Sequence, residues 1–175
     1  MQISTIPVGL GQKSASAEIS NVARPNNVIS TIPIEAYVAT LDDDMPKASS
    51  VEEFMNLFAS GGELKLESNM ELAETLILSE GETTIDLNGK KVIAPEGGND
   101  STCFQVDAGR LVLQGEGEVI AQDAEYSNAV YARGGQVDIL GGSYSNAGDN
   151  CDLIYAAGSG QINIYDGIFK ATKNN

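Results

Sequence analysis

Asp86 and Asp138 occupy the same place in two similar strings, Ile85-Asp86-Leu87 and Val137-Asp138-Ile139. If these strings are stacked strands two rungs apart, the carboxylates stand about 9.6 Å from each other, which leaves room for the water of an inverting glycoside hydrolysis. The equivalent place between them holds Val112, the one after holds Asn163, and no groove residues flank the pair. No catalytic residue is therefore expected, and the chain reads as a non-enzyme. Histidine is absent, which removes histidine general acid/base chemistry and the common zinc sets from a single chain. Asp42-Asp43-Asp44 and the loop Asp149-Asn150-Cys151-Asp152 supply oxygens. Calcium needs about six to eight of them converging around a turn, and consecutive acids rarely converge, so no metal and no other cofactor is expected. Cys103 and Cys151 fall two rungs apart, beyond the roughly 7 Å that a disulfide spans between Cα atoms, and both are expected as free thiols. Tyr126, Tyr131, Tyr144, Tyr155 and Tyr165 are expected to face outward, where a ladder of rings could stack on a glycan or meet a protein.

These positions take their meaning from a repeat. Ile85-Asp86-Leu87-Asn88-Gly89 is followed 26 residues later by Leu111-Val112-Leu113-Gln114-Gly115, after a further 26 by Val137-Asp138-Ile139-Leu140-Gly141, and after 25 more by Ile162-Asn163-Ile164. Each copy alternates apolar with outward residues and runs into a glycine corner. A second strand recurs at Phe104-Gln105-Val106, Val130-Tyr131-Ala132 and Ile154-Tyr155-Ala156, and a third at Val119, Tyr144 and Phe169. Three strand classes in common register over about 25 residues describe a coil of parallel sheets; an antiparallel sandwich needs no such period. The expected fold is all-β: a right-handed parallel β-helix, or solenoid, of about four to five rungs. Ile85, Leu111, Val137 and Ile162 are expected to form one interior column.

Stacking also predicts ion pairs between adjacent rungs, Lys90 with Glu116 and Asp107 with Arg133, and places Tyr131 over Tyr155. Upstream, the Ser50 and Glu53 spacing fits a capping box, and Val51, Phe54, Leu57 and Phe58 share one helical face that Gly61-Gly62 ends. Residues 50–60 are thus an expected N-terminal capping helix laid across the open first rung. No second lid is evident after Phe169. Self-association is the expected remedy, most simply as a closed ring such as a trimer.

Charge divides the chain. The formal net charge is −15, yet residues 1–41 cancel, with Lys13 and Arg24 against Glu18 and Glu35. A nucleic-acid partner is disfavoured by that acidity, and no apolar run is long enough for a membrane partner. The start of the chain does not read as a secretory signal, so synthesis in a cytoplasm is expected. Residues 1–47 are read as an extended anchoring arm and linker, and residues 48–175 as the β-helix with its capping helix. The arm repeats an apolar hexamer, with Ile3, Ile6, Pro7 and Val8 in one copy and Ile29, Ile32, Pro33 and Ile34 in the other. Proline after a β-branched residue favours extended chain, and a segment of this kind can dock along a partner.

The segment "SVEEFMNLFASGGELKLESNMELAETLILSEGETTIDLNGKKV" and the rungs "GGQVDILGGSYSNA" and "GQINIYDGIFKAT" resemble pectin-lyase-like right-handed parallel β-helices, of the short glycine-rich type in phage virion proteins and bacterial surface proteins. The resemblance covers roughly residues 48–172. Enzymes of that family imply an Asp/Glu calcium cluster with an arginine or lysine base; here Arg110 and Arg133 are the available arginines, and Arg133 already has Asp107 as its register partner. The scaffold hosts lyases, hydrolases, adhesins and structural spikes alike. Together with the arm and the missing catalytic set, the resemblance implies a structural virion protein, a phage head-decoration or head-fibre subunit. Its arm would dock on a capsid or other virion protein. The alternative it implies is a carbohydrate-binding or depolymerising β-helix of the tailspike or surface-protein kind, meeting a host surface glycan.

Overall fold

The computed structural model describes residues 44–96, 101–122, 126–146 and 152–171. The arm residues Ile3, Ile6, Pro7, Val8, Ile29, Ile32, Pro33 and Ile34 lie outside them, as do Asp42, Asp43, Asp149 and Cys151.

From Lys47 onward the chain coils. A two-residue strand β1 (Lys47–Ala48) and helix α1 (Val51–Ser60) precede the first turn, made of β2 (Gly62–Leu66), β3 (Met70–Glu71) and β4 (Leu76–Leu78). The second turn is β5 (Glu82–Asp86), β6 (Lys90–Ile93) and β7 (Thr102–Val106). The third is β8 (Arg110–Gln114), β9 (Gly117–Ile120) and β10 (Asn128–Ala132). The fourth is β11 (Gln136–Ile139), β12 (Ser143–Asn146) and β13 (Ile154–Ala156), and a fifth begins with β14 (Gln161–Ile164) and β15 (Ile168–Ala171). Like strands of successive turns pair in parallel, giving three sheets: β1-β2-β5-β8-β11-β14, β4-β7-β10-β13 and β3-β6-β9-β12-β15. This is a parallel β-solenoid of about four turns.

The interior is a set of vertical columns. Met70, Val92, Val119, Tyr144 and Phe169 make one, and Leu76, Phe104, Val130 and Ile154 another. In the first sheet the expected column needs a correction: Leu111, Val137 and Ile162 stack, but the residue beneath Leu111 is Thr83. Ile85 belongs to the neighbouring column with Leu64, Leu113, Ile139 and Ile164. β5 and β8 stand 28 residues apart in register where 26 were expected: the corner after β5, Leu87-Asn88-Gly89, is one residue longer than Gly115-Glu116 in the next turn, and the connection from β6 to β7 (94–101) is one longer than that from β9 to β10 (121–127), so Gly89 and Gly115 are not equivalent. A shift of two residues keeps inward positions inward, which is why alternation alone could not detect it. Thr83 is fully buried, with its hydroxyl donating to the Phe58 carbonyl at the end of the helix (3.4 Å). Leu87 enters the core, and Gly117, at φ +149, is required above it: a Cβ there would lie 2.6 Å from both the Leu87 Cβ and the Lys90 carbonyl oxygen.

The 27-residue step from β6 to β9 corrects one ion pair. Lys90 stands opposite Gly117, and Lys91 meets Glu118 at 2.8 Å in place of the expected Lys90–Glu116 contact. Asp107 and Arg133 do pair, at 3.8 Å.

Helix α1 is built as its sequence implies. Ser50 accepts a hydrogen bond from the Glu53 amide (3.2 Å), while the Glu53 carboxylate reaches back to the amide of Ser49 (2.8 Å). Gly61, at φ 72, ends the helix and donates to the Phe58 carbonyl. Phe54 and Phe58 are buried and touch the Phe104 ring, with centroids 6.4 and 6.1 Å away, and the helix packs on β1, β2, β3 and β4. It therefore lies across the first turn, touching all three sheets. At the other end Ile164, Ile168 and Phe169 are 54, 59 and 38 % exposed.

Candidate functional site

Two outer faces of the coil carry side chains that could act, and they are organised differently. On the first sheet a polar network ties four turns together. Asp138, 1 % exposed, accepts from Arg110 Nε (2.6 Å), from Asn163 Nδ2 (2.7 Å) and, at both oxygens, from Gln136 Nε2 (3.0 Å). Arg110 also donates to Glu82 at 3.1 Å. Burial raises the Asp138 pKa, but the hydrogen bonds from Asn163, Gln136 and Arg110, with the guanidinium charge, outweigh it. They hold this carboxyl below its ordinary range. Hydrogen bonding to Asp138 in turn raises the Arg110 pKa.

The expected pairing of Asp86 with Asp138 does not occur. Asp138 stacks on Val112 and under Asn163 in the column that rises through Glu63 and Thr84, whereas Asp86 stands between Lys65 and Gln114. Asp86 is occupied with its own corner, accepting from the Asn88 amide (2.9 Å) and facing Lys65 (3.9 Å). Neither carboxylate is placed as a general base opposite a general acid.

The second sheet carries a groove of about 570 Å³ on its outer face, lined by Thr102, Gln105, Tyr126, Asn128, Tyr131, Asp152 and Tyr155. Gln105, Tyr131 and Tyr155 form one vertical column, and the two rings stack with centroids 5.3 Å apart and planes 29° apart. Thr102 and Asn128 pair one rung apart at the head of their strands. Alternation breaks here, because Cys103 and Ala129 are fully buried beside buried Phe104 and Val130. Thr102 and Asn128 are themselves buried and form the floor of the groove. Asn128 donates to the Tyr126 carbonyl (3.1 Å) and Gln105 to Asp107 (2.8 Å), so each amide is held in one orientation. Tyr126 is 52 % exposed and adopts φ +61, a conformation that costs a non-glycine residue energy.

Three of the five expected tyrosines thus meet in one groove. Tyr144 corrects the expectation: it is fully buried, its ring stacks on Phe169 (5.1 Å), and its hydroxyl donates to the Gly141 carbonyl (3.1 Å). Burial pushes its pKa up. The polar neighbours Ser143 and Ser145 carried the signal, since they take the outward places of that strand. Tyr165 is 69 % exposed at the corner between β14 and β15, away from the groove. Asn128, Thr102 and Gln105 were missed by sequence reasoning; Gln105 was recoverable from its place beneath Tyr131.

Cys103 is free and buried, and burial raises its thiol pKa far above the ordinary value, which makes it unreactive. Among the described residues no three His, Cys, Asp or Glu side chains gather in a way that could hold a metal ion, and no helix is long and apolar enough to cross a membrane. Compared with known proteins, the chain matches no family model and is not significantly similar to any curated protein or solved structure. The class defined here is therefore the fold itself, a short parallel β-solenoid, with one capped end and one aromatic groove.

Proposed function

We propose that the chain is a non-catalytic structural subunit of a larger assembly, of the bacteriophage head-decoration or head-fibre kind. In this reading residues 1–47 dock on a capsid or other virion protein and the acidic coil projects from it. The protein would be made in the host cytoplasm and reside in the virion. The observation that carries the reading is the contrast between the ends of the coil. Phe54 and Phe58 cover the first turn, while Ile164, Ile168 and Phe169 stay exposed on the last described one. Apolar side chains grouped on a rung whose edge carries unpaired peptide groups favour contact with another chain. Copies of this chain are the simplest occupant. The residues of β14 and β15 include no acid, so two acidic molecules meet there with the least repulsion.

Sedimentation of the 175-residue chain tests this. An oligomer that dissociates when Ile164 and Ile168 are replaced by lysine is the expected result; a monomer at all concentrations overturns it. A second reading, a carbohydrate-binding β-helix of the tailspike or surface-protein kind, is favoured by the groove that gathers Tyr126, Tyr131 and Tyr155. Its depolymerising variant loses support, because Asp86 and Asp138 do not share a column.

A further inference from the structure

We propose that the groove on the second sheet is a binding site for an uncharged oligosaccharide of two to three units. This deepens the carbohydrate reading above and does not depend on the assembly reading.

Sugars present an apolar C–H face and a rim of hydroxyls, so a site for them needs flat rings and small polar groups side by side. The groove offers both. Tyr126, Tyr131 and Tyr155 supply the rings, and Thr102, Gln105, Asn128 and Asp152 supply hydroxyl, amide and carboxylate groups within the same 570 Å³. That volume lies within the ~300–1,000 Å³ of typical small-ligand pockets. The site is formed in advance. Tyr131 and Tyr155 hold each other's rings at 5.3 Å, and Gln105 and Asn128 are oriented by hydrogen bonds to Asp107 and to the Tyr126 carbonyl. A ligand would not have to order these groups, which lowers the entropic cost of binding. Tyr126 adds an independent pointer. Its φ of +61 is a conformation in which glycine would fit without strain, yet a tyrosine stands there with its ring on the groove.

Charge decides which saccharides fit. Among the described lining residues Asp152 is the one acid and none is lysine or arginine, and the chain carries −15 overall. Arg133, on the turn that follows Tyr131, is already paired with Asp107. No cation among the described lining residues greets a uronate, a sialate or a sulfated sugar, and Asp152 repels each of them. Neutral hexoses and N-acetylhexosamines meet no such penalty.

The test uses the full chain with four trisaccharides: maltotriose, cellotriose, triacetylchitotriose and, as the acidic arm, trigalacturonate. The chain has no tryptophan and three of its six tyrosines line the groove, so intrinsic tyrosine fluorescence responds to a ligand there. At least one neutral trisaccharide should give a saturable change below ~10 mM, a range in which single-site sugar binding is commonly weak but measurable. Trigalacturonate should give none. Tyr155→Ala should weaken binding by about tenfold or more, the loss expected for one stacking ring. Tyr126→Gly should weaken it as well without lowering the melting temperature, because it removes the ring and the strained backbone together. Tyr165→Ala should bind as the natural chain does. Saturation by no neutral trisaccharide overturns the proposal, as does binding that survives both Tyr155→Ala and Tyr126→Gly, or trigalacturonate binding as tightly as the neutral sugars. A fluorescence change that follows protein concentration without sugar, persists when Ile164 and Ile168 are replaced by lysine and disappears with Tyr155→Ala would assign the groove to a second copy and also overturn it. None of these failures touches the sedimentation result, which tests the assembly reading separately.

Discussion

The first turn of the coil and the last described one, which has strands in two of the same three sheets, meet solvent in opposite ways. At the first, Phe54 and Phe58 descend from α1 onto Phe104, and Thr83 closes the joint by donating to the Phe58 carbonyl. At the last, Ile162 is only partly buried, and Ile164, Ile168 and Phe169 are exposed. A stacked coil takes its stability from each turn covering its neighbour, so its ends are where burial must come from something outside the repeat. The helix supplies that at one end with about two aromatic side chains. The contrast teaches that the lid is an energetic part of the fold, whereas the bare rung is available for association.

Removing the lid should have the largest effect. Phe54→Ala leaves a cavity between the helix and Phe104 and should cost about 3–5 kcal/mol in chemical denaturation. Ile168→Lys at the opposite end should change stability by no more than about 0.5 kcal/mol while weakening self-association. A comparable loss from both would erase the distinction between the ends.

The network that ties the middle turns together comes next. Asp138→Ala removes hydrogen bonds from three donors and should cost about 1–3 kcal/mol. Because the folded chain holds Asp138 below the range of an unfolded carboxylate, its contribution is fully present above about pH 4 and is lost as pH falls through the folded value. Denaturation midpoints followed downward in pH should fall less steeply for Asp138→Asn than for the natural chain. Tyr126→Gly should leave stability unchanged or raise it by about 1 kcal/mol, by relieving the strained backbone. The smallest effect belongs to the half-exposed Lys91–Glu118 pair, where Lys91→Ala should cost ~0–1 kcal/mol and less at high salt.

Most of the coil was legible in the sequence because inward side chains repeat in step with the corners. Tyr131 over Tyr155 and Asp107 against Arg133 follow from the 24- and 26-residue spacings of turns whose corners match. The failures cluster where a corner changes length. The extra residues in Leu87-Asn88-Gly89 and in the 94–101 connection together shift Ile85 by a column, and the second alone moves the ion pair from Lys90 to Lys91. The Arg110–Asp138 bond escaped for another reason: Arg110 stands opposite Gln136, so its carboxylate partner is diagonal, and a search for directly stacked pairs passes over it. The groove was half legible. Its rings could be read from the column, but its polar floor depends on the break in alternation at Cys103 and Ala129, which no periodic pattern announces.

Amide hydrogen exchange at two protein concentrations tests the contrast between the ends most directly. Protection of 51–60, under which the first turn is closed within the chain, should not depend on concentration. Protection of 161–171 should be low in dilute solution and rise as the chains associate. If 161–171 exchanges as slowly as 51–60 in dilute solution, or is unchanged by concentration, the bare rung is not a contact surface and the account of the two ends is contradicted.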